Sequence, residues 1–273
     1  MRDAVDMLTA QQRIDFERDG IVRISGAFSG VAAERMQAVV WRELARRYAV
    51  DRDIPTTWPR SAATGLKSSK KHREFDAILS QKLSESLDVL FGSGEWTRPK
   101  AWGNVLVTFR DADVWTVPHR VWHSDFPPTL CAEKLDVVKV WSLISHIEPS
   151  GGGTPHIAGS HRLFARWLAN NPERDYKRAK FGFLKSHPWL RELSSDSPSH
   201  ERTTRLMRES DIDGLPARVV ETIGQPGDVW ITHPWVFHSI ACNARDEPRM
   251  QRSTAVWRRS ARSADPGGIE GGD

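Results

Sequence analysis

The hydrophobic period changes partway along the chain, and this change restricts the fold more than any other feature. Up to Phe91 the apolar residues recur at helical spacing; from Trp102 onward they alternate. A period near 3.6 marks a helix with one buried face, and a period of two marks a half-buried strand. Trp102 to Phe109, Val137 to Ile144, Ala217 to Ile223, Asp228 to Thr232, Val236 to Cys242 and Met250 to Trp257 read as strands separated by Gly, Pro and Asp turns. Many strands at uneven gaps predict a jelly roll or barrel, so the expectation is a mainly β fold with flanking helices.

The helical part comes first. Thr9 reads as an N-cap for a helix over Ala10 to Arg18, with Ile14 and Phe16 as its apolar anchors. Asp19-Gly20 ends it, and Ile21 to Ile24 follows as a strand. Ser29 caps a helix from about Val31 to Tyr48, whose Met36, Val39, Val40 and Leu44 should face the core. Residues 51–72 are irregular and basic, a solvated loop or an entrance loop over a pocket. Glu74 to Phe91 is a third predicted helix. Gly151-Gly152-Gly153-Thr154-Pro155 reads as a turn; it lacks the spacing and following Lys-Ser/Thr of a phosphate loop.

A chain of 273 residues can bury a proper core, and one domain over residues 1–259 is expected, with N-terminal helices within 1–95. Residues 162–215 break the strand pattern and are expected to form a lid, opening with a helix at Leu163 to Ala169. Over 162–208 there are 11 Lys and Arg against 5 Asp and Glu, interspersed with Trp167, Phe181, Phe183 and Trp189. The Gly-, Ser- and Asp-rich tail, 260–273, reads as disordered.

Net charge is +4, too small for the single-sign patch of a nucleic-acid binder. Cys131 and Cys242 form neither a disulfide framework nor a metal-spaced cluster. The first residues lack the apolar run of a signal peptide, and no window approaches a membrane span. The expectation is a cytoplasmic protein with no membrane and no nucleic-acid partner.

One stretch carries chemistry. In Val121-Trp122-His123-Ser124-Asp125-Phe126, His123 and Asp125 lie two apart, so on a strand both reach the same point. Together they supply two-thirds of a 2-His-1-carboxylate metal site. Alone, H-x-D is a weak signal; His238, later in a strand-rich setting, supplies a third ligand, whereas His233 has the wrong parity to share its face. His119, His146, His156, His187 and His200 read as structural or exposed.

With His123, Asp125, His238 and Arg249 in that order, the chain resembles the phytanoyl-CoA dioxygenase family. The resemblance also rests on Leu8-Thr9-Ala10-Gln11-Gln12, Phe16-Glu17-Arg18-Asp19-Gly20, Ala158-Gly159-Ser160-His161, Gly227-Asp228 and Asn243, and it fails across the insertion. It implies a double-stranded β-helix, a cupin-like jelly roll. It further implies an oxygenase dependent on Fe(II), 2-oxoglutarate and O2, which hydroxylates or otherwise oxidises a small molecule while 2-oxoglutarate becomes succinate and CO2. By the same resemblance His123, Asp125 and His238 hold the iron, and Arg249 takes the far carboxylate of 2-oxoglutarate with its bidentate fork. A hairpin pairing Cys242 with Arg249 would put His238 opposite residue 253, and Arg249 on the same face ~13 Å away at about 3.3 Å per residue. Asn104 and Trp141 match positions near that cosubstrate. Ile240 departs from the pattern, standing where the family often has a hydroxyl on the same carboxylate. His161 reads as a loop organiser. The basic, aromatic insertion points to an acidic or CoA-linked substrate with an apolar body. The competing reading is a non-oxidative metal-binding jelly-roll protein, an isomerase or a ligand-binding module.

Overall fold

The computed structural model describes residues 8–130, 134–195 and 198–262. The N-terminal stretch 1–7, Cys131 and the tail 263–273, on which some of the expectations bear, lie outside the described residues. Helix α1 spans Ala10–Asp19 and is closed at its start by a capping box between Thr9 and Gln12. Phe16 of this helix is buried, but Ile14 is 56% exposed. Two residues apart on a helix lie on nearly opposite faces, so both could not anchor one core. Strand β1 (Ile21–Ile24) follows. Helix α2 (Gly30–Tyr48), capped by Ser29, buries Met36, Val39, Val40 and Leu44 on one face as the spacing predicts. The predicted helix from Glu74 is two pieces: a 3-10 stretch, Arg73–Ile78, and α3 (Gln81–Phe91), for which Ser80 is a fresh N-cap.

The ten strands among the described residues pair antiparallel throughout. Besides β1 they are β2 (Ala62–Ala63), β3 (Trp96–Thr97), β4 (Asn104–Thr108), β5 (Val137–Leu143), β6 (Pro155–Ala158), β7 (Ser210–Ile212), β8 (Leu215–Glu221), β9 (Val229–Thr232) and β10 (Arg249–Arg258). The larger sheet runs β1-β9-β5-β10-β4-β2, with β3 also paired to β10, and the smaller runs β6-β8-β7. The ten-residue β10 lies between β4 and β5 and organises the larger sheet. Gly103 lets β4 approach it: its φ is 78°, and a Cβ there would fall 1.7 Å from the Ser253 carbonyl oxygen.

The two faces of the larger sheet differ in kind. Val105, Val107, Val138, Val140, Met250 and Val256 point outward and share one apolar core with α2 and α3. The alternate residues point inward, because paired residues of antiparallel strands share a face. By register these include Thr108 opposite Arg249, Leu106 opposite Gln251, Asn104 and Trp141 on either side of Ser253, and Lys139 opposite Ala255. A second apolar core, with Phe164, Phe183, Trp189, Leu206 and Phe237, joins the smaller sheet to helices α4 (Ser160–Asn170), α5 (Tyr176–Ser186), α6 (Pro188–Glu192) and α7 (His200–Met207). Those four helices fill most of the segment expected to be a lid, and β7 its end. A short α8 (Arg259–Arg262) covers the first residues of the expected tail.

Two expectations are corrected here. Val236 to Cys242 is not a continuous strand: only isolated bridges form, from His238 to His123 and to His156. The Val236 amide closes a turn onto His233, and the Phe237 amide bonds Ser160 Oγ, so the ladder is interrupted. Nor do Cys242 and Arg249 form the expected hairpin. Residue 253 pairs with Asn104 and Trp141, and Asn243 folds its side-chain amide onto the Thr108 and Glu247 carbonyls. No described helix is long and apolar enough to cross a membrane.

Candidate active site

His123 and His238 face each other across the bridge that joins their backbones, each amide donating to the other's carbonyl. One donor atom each from His123, Asp125 and His238 lies within 4.8 Å of the others. The Asp125 carboxylate stands 3.9 Å from His123 Nε2 and 3.7 Å from His238 Nε2. Nδ1 of His123 lies 2.8 Å from the Val121 carbonyl oxygen, and Nδ1 of His238 lies 3.3 Å from that of Val236. A carbonyl only accepts, so Nδ1 carries a proton in each ring, and Nε2 is the atom turned toward Asp125.

Burial lowers the His238 imidazole to about 4, more than the nearby Asp125 raises it, so the ring is neutral. Burial alone would raise Asp125, but His238, the Lys139 ammonium and His123 outweigh it and hold the carboxyl at about 2. Lys139 Nζ lies 2.7 Å from Asp125 Oδ2. The neutral His238 imidazole and the ionised Asp125 carboxylate are the protonation states a divalent metal needs.

Contacts run without a break from these residues to Arg249. The Trp141 ring meets His238 and His156 edge-on, at 5.2 and 5.0 Å between centroids, and its indole N–H donates to Thr232 Oγ1. His156 is fully buried behind His238; its Nδ1 donates to the Thr154 carbonyl, and burial keeps it neutral. Thr154 Oγ1 accepts from Gln251 at 2.6 Å and from Arg249 at 3.5 Å. Arg249 is 8% exposed and donates to Thr108 Oγ1 at 2.6 Å. Burial lowers its guanidinium to about 10, which leaves it charged at neutral pH. Among the described residues it meets no carboxylate, and Arg249 Nε and Gln251 Oε1 have no hydrogen-bond partner.

The other predicted positions sort by place. Asn104 lies on the inward face four residues along the strand from the Arg249–Thr108 pair. Ile240 is 68% exposed, so it does not fill the place of the expected hydroxyl; Thr108 and Thr154 supply hydroxyls to Arg249 instead. His233 packs against His161, whose Nε2 bonds the Glu17 carbonyl oxygen. Three nearby residues are not picked out as site residues by the sequence: Lys139, His156, read there as structural or exposed, and Tyr176. The Tyr176 hydroxyl on α5 accepts from the Ser124 amide at 3.1 Å and donates to the Ser124 carbonyl. It thereby holds the residue between two of the three candidate ligands. Tyrosine occurs only twice in the chain, and one lies in the insertion, which was the only hint available.

No protein-family model matches the chain, and no curated protein matches it. Solved structures do. The carbocyclase SnoK from nogalamycin biosynthesis, described as non-heme and alpha-ketoglutarate dependent, superposes with a TM-score of 0.55 at 15% identity, covering 93% of this chain and 85% of that one. EctD from S. alaskensis with bound Fe gives 0.52 at 17%, covering 96% and 80%. HygX from Streptomyces hygroscopicus, with nickel and 2-oxoglutarate bound, gives 0.52 at 16%, covering 92% and 88%. The chain therefore has the jelly-roll fold of these proteins, with antiparallel sheets and flanking helices.

Proposed function

We propose that the protein is an iron(II)- and 2-oxoglutarate-dependent oxygenase acting on a small molecule, related to the phytanoyl-CoA dioxygenase family. The observation that carries this reading is the pairing of two features on one inner surface. One is a His-Asp-His cluster with its donor atoms converging. The other is a buried arginine that contacts no carboxylate among the described residues. A buried cation is costly to leave unpaired, so a dicarboxylate reaching from the metal would satisfy it. The donor set suits iron(II): two imidazoles and one carboxylate leave coordination positions open, as a closed thiolate site would not.

In this reading His123, Asp125 and His238 hold the metal, Arg249 forks onto the far carboxylate, and Thr108 and Thr154 turn their hydroxyls toward it. Trp141 forms the apolar wall beside the cosubstrate, and Asn104 offers its amide from the adjoining strand. Lys139 takes one oxygen of Asp125 and so fixes how the carboxylate is presented. Bound there, iron, 2-oxoglutarate and O2 supply oxidative decarboxylation to succinate and CO2, coupled to two-electron oxidation of the substrate. Proteins of this fold are described as a carbocyclase and, at a TM-score of 0.52, as the epimerase SnoN. The proposal is therefore framed as substrate oxidation, with hydroxylation as its simplest outcome. The cationic, aromatic α5 favours an acidic substrate, CoA thioesters included.

The test is calorimetric and then catalytic. Manganese-loaded protein should bind 2-oxoglutarate, and iron-loaded protein under air should form succinate. His123→Ala should lose both. Absence of 2-oxoglutarate binding by the metal-loaded wild type would return the fold to the competing reading of a non-oxidative metal-binding jelly roll.

A further inference from the structure

A groove of about 370 Å3 is lined in part by Val121 and Trp122, the two residues that precede the candidate ligand His123. Its apolar wall is Val121, Trp122, Phe181 and Leu184, and its cations are Lys180, Lys185 and Arg191. Phe181 is 48% exposed and Val121 62%, although both would gain by burial. The cations are not spent on acids. Lys180 lies over the rings of Tyr176 and Phe181, at 5.7 and 5.0 Å, and Arg191 donates to the Lys185 carbonyl. The neighbouring Glu192 is taken by Arg205. Among the described residues no carboxylate pairs with Lys180, Lys185 or Arg191.

The groove is coupled to the candidate metal site by two short connections. Val121 has a φ of 60°, a left-handed conformation that a β-branched residue adopts only under constraint. That conformation accompanies a carbonyl set 2.8 Å from His123 Nδ1. On the other wall, α5 carries Lys180, Phe181 and Leu184 and also Tyr176, the residue that grips Ser124. His123 is also the most open of the three candidate ligands, its side chain 31% exposed against 17% for Asp125 and 9% for His238.

We propose that this groove binds the anionic, apolar-stemmed part of the substrate, a carboxylated or phosphorylated molecule, and holds it beside the metal. The assignment to substrate rests on the oxygenase reading of the neighbouring site. The apolar wall accepts the stem, and the three cations, which pair with no carboxylate among the described residues, accept the head group, as charge complementarity requires.

The probes are decanoate, decyl phosphate, decanol and inorganic phosphate, titrated into the full chain loaded with cobalt(II). One or both decyl anions should bind, and their ratio separates a carboxylate from a phosphate preference. Decanol and inorganic phosphate should each bind more weakly. The double variant Lys180→Glu/Lys185→Glu should weaken the decyl anions by roughly tenfold or more, since two exposed charges are reversed. The cobalt absorption spectrum should shift when the groove fills in the wild type. Equal binding by the double variant, or decanol binding as tightly as the anions, overturns the groove. Tight binding with an unmoved cobalt spectrum overturns its role as a substrate site. 2-Oxoglutarate binding to the manganese form is measured in parallel and should be the same in both proteins. Its loss in both, with the decyl anions still bound, overturns the oxygenase reading and with it the assignment to substrate.

Discussion

Arg249 and Arg252 stand three residues apart on β10, on opposite faces of the larger sheet, and both are buried. Burial lowers their guanidinium groups to about 10 and about 9, and neither meets a carboxylate among the described residues. Their neighbours differ. Arg252 lies 3.8 Å above the Phe75 ring and donates to the carbonyls of Gly103 and Lys70. Ring face and carbonyls are fixed parts of the outer core, and they can only receive the charge. Arg249 instead meets the hydroxyls of Thr108 and Thr154. A hydroxyl that accepts from guanidinium still has a hydrogen to donate, so this set can close around a carboxylate. An unpaired buried cation is therefore not by itself an anion site; the groups around it decide.

Exchanging each for methionine tests the contrast most strongly. Arg249→Met should cost roughly 100-fold or more in 2-oxoglutarate affinity of the manganese form, the usual loss on truncating one side of a buried charge pair. Its stability in urea should hold or rise, because a buried unpaired charge has been removed. Arg252→Met should leave that affinity within about twofold but lower stability by about 1–3 kcal/mol, since two carbonyls lose their donor. Loss of 2-oxoglutarate binding in Arg252→Met alone would reverse the comparison.

Which parts of this could be read in advance follows from the range of the forces involved. Local signals read well: Thr9 and Ser29 cap helices, and β5, β9 and β10 fall within a residue or so of the alternating runs. The residues His123, Asp125, His238 and Arg249 could be picked out by type and order. Strand β6 escaped notice because all four of its residues are buried and it shows no alternation. The Val236 to Cys242 run reads as a strand, but Ser160 Oγ takes one of its amides from 77 residues away. Tyr176 on Ser124 and Thr154 near Arg249 are likewise contacts across 52 and 95 residues. Periodicity holds no information about such pairs.

Glu221 offers a second measure of what an unpaired buried charge costs. It is 6% exposed at the end of β8, and both of its oxygens lie within hydrogen-bond reach of the Ser150 amide alone. Burial raises its carboxyl to about 7, more than Ser150 and the more distant Arg245 lower it. A carboxyl can escape the cost by keeping its proton; arginine cannot. Between the unfolded value near 4.5 and the folded value near 7, the folded chain retains a proton that the unfolded chain has released. Stability should therefore fall as pH rises through that window, by roughly 2–3 kcal/mol, and flatten above it. Glu221→Gln should remove this slope in urea titrations across the window. An unchanged slope would mean that burial costs this fold less than the Arg249 argument assumes.

The smallest expected effect concerns how the inner site is held from outside. The two tyrosines make the same contact in different places. Tyr48 accepts the Thr64 amide and donates to the Thr64 carbonyl, outside the candidate site, as Tyr176 does with Ser124 between His123 and Asp125. Phenylalanine at Tyr176 leaves a part-buried amide and carbonyl without their partner, a stability cost of about 1–2 kcal/mol, whereas at the exposed Tyr48 contact water replaces the hydroxyl. Only Tyr176→Phe frees the backbone that aims two of the proposed ligands. Cobalt affinity should fall roughly tenfold in that variant, in the range expected for groups that orient metal ligands, and stay unchanged in Tyr48→Phe. Equal cobalt affinity in the two variants would reduce Tyr176 to a packing residue and leave the inner face without its support from α5.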